Sequence, residues 1–254
     1  MTRVAGVLAA LRERLAPASP SAALDAELLV AHVAGIRRAA LAGEPVAYLT
    51  GRREFWSLEL EVTPDVLVPR PETELVVERA LAALGDGGHP AVLDLGTGSG
   101  AIALAIAHER PNAAVTATDV SAAALAVAKR NAVRLGLRNL RFLEGPWFDP
   151  LAGGGFDVIA SNPPYVAAGD PALAALAHEP RDALVAGSDG LAAIGAIASA
   201  APARLVRGGW LIVEHGANQG AAVRALFSAA GLAAVATWPD LAGHERVTQG
   251  TRSR

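Results

Sequence analysis

The sequence predicts an α/β protein: a mostly parallel, seven-stranded sheet with helices on both faces. Three observations carry this reading. From Pro90 onward, short apolar runs alternate with segments of helical period, separated by glycine or polar turns. Those runs are apolar throughout rather than alternating, as strands covered on both faces must be. Hydrophobic residues make up 52% of the chain but aromatic ones only 4%, so the core is Ala, Leu and Val, which suits close helix-on-sheet packing.

Ahead of that region, Val4, Val7, Leu8, Leu11 and Leu15 recur at helical spacing and Pro17 and Pro20 end the helix. Ser19-Pro20 or Ser21 can cap a second helix, Ala22 to Val33, with Leu24, Leu28 and Ala31 on one face. These helices make a small amino-terminal module, residues 1–45, too small to bury a core of its own. Residues 46–70 change period. Leu58, Leu60 and Val62 alternate with Glu59 and Glu61, Thr63-Pro64-Asp65 reads as a turn, and Val66-Leu67-Val68 as the return strand of a linking β-hairpin. Pro69 to Glu74 is a rigid extended segment, and Thr73 is placed to cap a helix running to Leu84.

The main domain, residues 71–254, follows. Its strands are expected at Ala91 to Leu95, Ala114 to Thr118, Leu140 to Leu143, Phe156 to Ala160, Trp210 to Val213, Ala233 to Thr237 and Arg246 to Gln249. Helices are expected from Ala101 to Ala107, from a Ser121 cap to Leu135, from Leu191 to Leu205 and from Asn218 to Ala230.

Bulk chemistry narrows the function. Twenty-two basic against 25 acidic residues, a net charge of −3, argue against an electrostatic nucleic-acid or membrane binder. The absence of cysteine removes disulfides, thiolate metal sites and cysteine nucleophiles. The six histidines show no ligand spacing, so no metal site is expected, and each reads as a surface or helix-end residue. The apolar stretch Val7 to Leu11 is short and is followed by Arg12, Glu13 and Arg14, unlike a signal peptide. No uninterrupted apolar run is long enough for a membrane span, and the expected location is cytoplasmic.

Two loops carry chemistry. Asp94-Leu95-Gly96-Thr97-Gly98-Ser99-Gly100 sits between a strand and a helix, where glycines let backbone approach a ligand and the helix end offers free N–H groups. The spacing is G-x-G-x-G, with Ala101 where a dinucleotide fingerprint needs its third glycine, and no P-loop lysine follows. Asp119 ends the second strand, where an acid can accept from both ribose hydroxyls of an adenosine; capping the next helix is compatible with that. Trp147, after the third strand, could stack beside adenine or simply cap the core. Behind the fourth strand lies Ser161-Asn162-Pro163-Pro164-Tyr165. Two prolines stop the strand and stiffen the loop. The Asn162 side-chain oxygen and the Pro163 carbonyl can accept both hydrogens of a planar NH₂ group, and the Tyr165 ring can lie against it. A methyl group carried on a sulfonium already has its leaving group, so transfer from S-adenosylmethionine needs positioning above all.

These motifs resemble a class I S-adenosylmethionine-dependent methyltransferase with a Rossmann-like sheet, acting on an amide or exocyclic amine. Gly43 to Gly51, Glu54-Phe55-Trp56, Val68 to Glu74, His178 to Leu184 with Asp189-Gly190-Leu191, Glu214 to Gln219 and Asp240 to Val247 narrow it. Together they resemble the bacterial protein-(glutamine-N5) methyltransferases of peptide-chain release factors, over about residues 22 to 252. The resemblance implies that Gly96, Thr97, Gly98, Ser99, Gly100, Asp119, Trp147 and Asn162 bind S-adenosyl-L-methionine, leaving S-adenosyl-L-homocysteine as product. It implies that Asn162, Pro163, Pro164 and Tyr165 receive the glutamine of a Gly-Gly-Gln tripeptide, with Asn162, Pro163 and Tyr165 catalytic and Pro69 to Thr73 lining the pocket. The partner is then a release factor and the protein a monomer, needing neither nucleic acid nor membrane. Only Ala39 to Ala42 stand where the family carries a longer helical stretch, so the amino-terminal domain that helps grip the substrate is shortened. A ribosomal-protein glutamine methyltransferase, a DNA adenine-N6 methyltransferase with the same four-residue motif, and a non-catalytic adenosine-ligand module are the alternatives.

Overall fold

A computed structural model describes residues 10–22, 25–26, 29, 45–85 and 87–253. Of the two amino-terminal helices, residues 10–15 and the described positions 22, 25, 26 and 29 are helical. The expectations for Val4, Val7, Leu8, Leu24, Leu28, Ala31 and Ala34 to Ala42 lie outside the described residues. Leu15, Ala26 and Leu29 meet Val46 in a small apolar cluster, and the Arg53 guanidinium lies 3.9 Å from Asp25. The module thus rests on the segment that follows it.

That segment begins with a short helix, α1 (Val46–Thr50), and a two-stranded ribbon of β1 (Arg52–Phe55) and β2 (Leu58–Glu61). Arg52 stands opposite Glu61 and Phe55 opposite Leu58, so the turn is Trp56-Ser57. Both residues have left-handed φ, 52° and 58°, as tight hairpin loops require. The hairpin is therefore one strand earlier than the sequence suggests: Thr63 to Asp65 is not its turn and Val66 to Val68 is not a strand. Glu74 Oε1 accepts from the Trp56 N–H at 2.8 Å, and Glu109 Oε1 accepts from its indole N–H at 2.8 Å, which helps offset the unfavourable φ. Farther on, Pro69 and Pro71 lack donors for a ladder, and the Val68 N–H turns instead to Glu179 Oε2 at 3.0 Å. Arg70 pairs with the same carboxylate, and the Tyr48 hydroxyl donates to the Val66 carbonyl at 2.6 Å. Residues 62–70 are thereby strapped across the main domain.

A 3₁₀ turn, Pro71–Thr73, leads into α2 (Glu74–Leu84). Thr73 does not cap α2 with its side chain. Its backbone is already helical, φ −66° and ψ −19°, and its hydroxyl points elsewhere. The main sheet then forms from β3 (Ala91–Leu95), β4 (Ala114–Asp119), β5 (Leu140–Glu144), β6 (Phe156–Ser161), β7 (Leu205–Glu214), β8 (Leu232–Pro239) and β9 (Glu245–Arg252). Between them run α3 (Ala101–Glu109), α4 (Ala122–Arg134), α5 (Ala192–Arg204) and α6 (Gly220–Ala229). The order is β5-β4-β3-β6-β7-β9-β8, parallel from β5 to β7, with β9 antiparallel to both its neighbours. β7 extends beyond the expected Trp210 to Val213, with a register shift against β6 that lets Phe156 face Leu205 and Val158 face Trp210.

Successive strand residues feed opposite faces. Val92, Val115, Val158 and Ile212 pack with Val76, Ala103 and Ile106, from α2 and α3. Leu93, Ile159, Leu211 and Val213 pack with Ile194, Ile197, Val223 and Phe227, from α5 and α6. The order reverses between β3 and β6, and crevices outside the carboxyl ends of strands at such a point take ligands. Register sharpens this: Leu95 is level with Thr118 on one side and Ser161 on the other. The glycine turn, Asp119 and Asn162 therefore emerge at the same height. Among the described residues no helix is long and apolar enough to cross a membrane.

Candidate active site

At that height lies a cavity of about 440 Å³. Gly96, Thr97, Gly98 and Ser99 form one wall, Asp119 to Ser121 and Trp147 a second, and Asn162 with Pro164 a third. The strap supplies Asp65, Val66, Leu67 and Pro69, and Thr73 follows it. The glycine turn is tied to β4, whose Thr118 carbonyl accepts from the N–H groups of Gly96 (2.9 Å) and Thr97 (3.0 Å). Gly96 and Gly98 have φ of 69° and 56°, and a Cβ on Gly98 would meet no atom within 4 Å. That open side is room for a ligand against bare backbone. Buried Asn131 braces the turn from behind, its amide nitrogen donating to the carbonyls of Ser99 and Glu61, each at 3.0 Å.

Two carboxylates flank the turn. Asp119 accepts from the Gly98 N–H through Oδ2 and from the Ser121 N–H through Oδ1, both at 2.9 Å. Burial nonetheless leaves its pKa above the ordinary carboxylate value. Ser121 caps α4 as expected, its hydroxyl accepting from the Ala124 N–H at 3.1 Å. Asp94 is more deeply placed. Its Oδ2 accepts from the Thr97 hydroxyl (2.6 Å) and the Ala103 N–H (3.2 Å), while Oδ1 is buried with no partner among the described residues. Burial pushes Asp94 up to about 7, with those two hydrogen bonds working against the shift.

The loop after β6 is fixed at several points. The Ser161 hydroxyl donates to the Leu95 carbonyl at 2.7 Å. Asn162 Nδ2 donates to Thr73 Oγ1 at 3.0 Å, and the Thr73 hydroxyl donates to Glu214 Oε2 at 2.6 Å. The Tyr165 hydroxyl donates to the other Glu214 oxygen, Oε1, at 3.2 Å. The backbone beyond is clamped too: Gln219 Nε2 donates to the Tyr165 carbonyl (3.0 Å) and the Asp189 carbonyl (3.3 Å). Gly190, with φ 76°, passes so close that a Cβ there would overlap the Tyr165 carbonyl oxygen.

Comparison with known proteins gives the family. The Methyltransferase small domain family matches residues 73–190, from the end of the 3₁₀ turn to Gly190. A release factor glutamine methyltransferase of Xylella fastidiosa is 56% identical over 82% of this chain and 76% of its own length. The chain belongs to the release factor glutamine methyltransferase family. A Vibrio cholerae member is 45% identical over 98% of this chain and 96% of its own length, and a Burkholderia pseudomallei member 50% identical over 92% and 93%. Among solved structures, a methyltransferase from Pyrococcus furiosus superposes with a TM-score of 0.61 at 21% identity, covering 86% of this chain and all of that one. A 16S rRNA methyltransferase of T. thermophilus, in complex with AdoMet and guanosine, reaches 0.58 at 21% identity, covering 80% of this chain and 50% of that one. These two show the fold: a Rossmann-like methyltransferase sheet.

Within this family member, Gly96, Thr97, Gly98, Ser99, Asp119, Trp147, Asn162 and Pro164 come together around the cavity. Gly100, Pro163 and Tyr165 do not line it. Gly100 precedes α3, where a Cβ would stand 2.8 Å from Leu104 Cδ1. Pro163 is buried and Tyr165 packs into the β6–α5 core with its hydroxyl on Glu214. Trp147 stands over the turn, its Cζ3 3.5 Å from where a Gly96 Cβ would be. His215 departs from the surface expectation. It is fully buried, with Nε2 2.9 Å from Thr248 Oγ1 and Nδ1 2.9 Å from the Gly216 carbonyl; it follows Glu214 off a central strand.

Thr73 lines the cavity as the resemblance implies, but its hydroxyl serves Asn162 and Glu214 rather than a helix cap, and Glu214, named in the sequence only as part of a family segment, is given a site role by that bond. Burial pushes Glu214 up to about 7, opposed by its hydrogen bonds from Thr73 and Tyr165. A carboxyl whose folded pKa is raised stabilises the protein while protonated in both states, and that contribution drains as pH climbs from the unfolded value near 4.5 through about 7. Glu214→Gln, which cannot ionise, is therefore expected to gain Tm on the parent as pH rises across that window, with the gap constant above it. Thermal denaturation of both proteins from pH 4.5 to 8 checks this, and a gap that narrows with pH contradicts it.

Proposed function

We propose that this protein transfers the methyl group of S-adenosylmethionine to the side-chain amide nitrogen of the glutamine in the Gly-Gly-Gln motif of peptide-chain release factors. The observation that carries the reading is Asn162. Its Nδ2 is committed to Thr73, which leaves Oδ1 as the acceptor for an incoming NH₂ group beside the glycine turn. The residues suit the methyl donor. Gly98 offers open space against bare backbone, Asp119 retains lone pairs for ribose hydroxyls, and the Trp147 ring is an apolar surface for adenine. S-adenosylmethionine, when bound, supplies a methyl group activated by its sulfonium.

The protein's own residues then do the positioning. Asn162 Oδ1, on the cavity wall, accepts one hydrogen of the glutamine amide, and Pro163, buried and off that wall, fixes the backbone that carries Asn162. That pairing raises electron density on the nitrogen and aims its lone pair, an orientation worth several kcal/mol in bimolecular steps; one of the two amide protons passes to water as the new N–C bond forms. Pro164 holds the acceptor side of the cavity and Tyr165 stiffens the loop through Glu214. Residues 71–254 make up this catalytic domain, 46–70 link it, and 1–45 form a shortened docking module for the substrate. The Vibrio alignment runs over 279 positions against 254 residues here, which accords with a chain that lacks segments its relative has. The reaction asks for one copy of the chain, and its substrate works in the cytoplasm.

The test is methyl transfer from tritiated S-adenosylmethionine to release factor, ribosomal proteins and duplex DNA in parallel, with the labelled residue mapped by mass spectrometry. Label on the Gly-Gly-Gln glutamine is the expected result. Label on DNA or ribosomal protein, with none on release factor, overturns the assignment.

A further inference from the structure

We propose that Thr73 and Glu214 are positioning residues for the methyl-transfer reaction: together they fix which end of the Asn162 amide faces the substrate. The inference rests on the methyl-transfer reading and adds to it a reason why the clamp points the right way.

An asparagine amide can be placed in a pocket in two orientations related by a half-turn, of similar shape and opposite hydrogen-bonding character. Only one presents Oδ1 to a substrate NH₂; the other presents two donors to two donors. Nothing about Asn162 alone chooses between them. The choice comes from a chain of obligations that ends on Glu214. Above its raised pKa of about 7 the Glu214 carboxyl is ionised and can only accept. Both of its oxygens are engaged, Oε1 by the Tyr165 hydroxyl at 3.2 Å and Oε2 by the Thr73 hydroxyl at 2.6 Å. Having spent its single proton on Glu214, Thr73 Oγ1 can only accept in turn. The Asn162 group 3.0 Å away must therefore be Nδ2, and Oδ1 is left for the cavity.

The chain is insulated enough to be decisive. Thr73 is 3% exposed and Glu214 1% exposed, so water competes weakly for either hydroxyl or carboxylate. It is also mechanically anchored. Glu214 is the last residue of β7, next to β6 in the sheet, and Thr73 closes the 3₁₀ turn that follows the strap. Glu214 thus holds both ends of the Asn162 to Tyr165 loop, one directly and one through Thr73.

Thr73→Val removes the hydroxyl with little change of shape. We expect it to lower kcat about 10- to 30-fold, because a misplaced or freely turning acceptor costs rate rather than binding. The KM for release factor and the Kd for S-adenosylmethionine should stay within about twofold. Thr73→Ser, which keeps the hydroxyl, should recover to within about threefold of the parent kcat. A residue that merely supports the fold would lower Tm in both variants without this split. In the unsubstituted protein, hydrogen exchange of the ¹⁵N-labelled Asn162 side-chain amide reads the same contact without any turnover and is independent of how well a variant folds. One of its protons should exchange at least about tenfold slower than in free asparagine. Parent-like kcat in Thr73→Val, equal impairment of the Ser and Val variants, or unprotected Asn162 protons would overturn the inference. Failure of the parent enzyme to label any glutamine would overturn the proposed function instead, and the exchange measurement would still judge Thr73 and Glu214.

Discussion

Asn162→Ala is expected to lower kcat for release-factor methylation by about a thousandfold, the scale of losing a preorganised polar group at a reacting centre. The side chain stands where the glycine turn, the β6 loop and the strap converge. Alanine removes the acceptor that orients the substrate nitrogen and leaves Thr73 Oγ1 without its donor. Little else need move. Ser161 still donates to the Leu95 carbonyl, Gln219 still holds the Tyr165 carbonyl, and Tyr165 still reaches Glu214. Affinity for S-adenosylmethionine should therefore survive largely intact, since the glycine turn and Asp119 are untouched. Single-turnover kinetics with calorimetry of cofactor binding separate the two effects. Parent-like turnover in the variant would remove Asn162 from the reaction.

Asp119→Ala should act on the other half of the site, weakening S-adenosylmethionine binding by about 1.5–3 kcal/mol through the loss of charge-assisted hydrogen bonds. Two causes add. The carboxylate is the acceptor proposed for the ribose hydroxyls, and it also holds the Gly98 N–H at 2.9 Å, pinning the turn that the ligand lies against. Asp119→Asn keeps one acceptor oxygen and should fall between the parent and alanine. At saturating S-adenosylmethionine the alanine variant should regain most of its kcat, because the chemistry at Asn162 is undisturbed. An unchanged dissociation constant would contradict the assignment.

Much of this is legible in the chain itself. The strands of the parallel region, covered on both faces, announce themselves as unbroken apolar runs, and Asp119 is conspicuous as an acid closing one of them. Glu214 closes Trp210 to Val213 in the same way, so the same signal was there. Its use was hidden because its partner, Thr73, is 141 residues away and meets it only through the sheet order. Thr73 misled for a related reason. Threonine before a helix has the chemistry of a cap, and composition does not reveal that the hydroxyl is needed elsewhere. The hairpin turn is not legible in the sequence because Trp56 and Ser57 take left-handed φ without the Gly or Asn that usually marks such a turn. A buried His215 is likewise invisible until Thr248 is seen opposite it on β9.

The crossing at Gly190 has a further consequence. Between Tyr165 and Gly190 the chain makes an excursion that leaves and returns by one doorway. The Val166 N–H donates to the Leu184 carbonyl at 2.8 Å, and the Ala186 N–H donates back to the Val166 carbonyl at 3.0 Å. What lies outside that doorway is a loop closed by these two hydrogen bonds, and doubling such a loop adds only about 0.6 kcal/mol of closure entropy. Pro180, Asp182 and Ala183 from within it reach the cavity wall. Glu179, from the same loop, accepts from the Val68 N–H and pairs with Arg70, so the excursion is coupled to the strap and a change within it reaches two walls of the cavity at once.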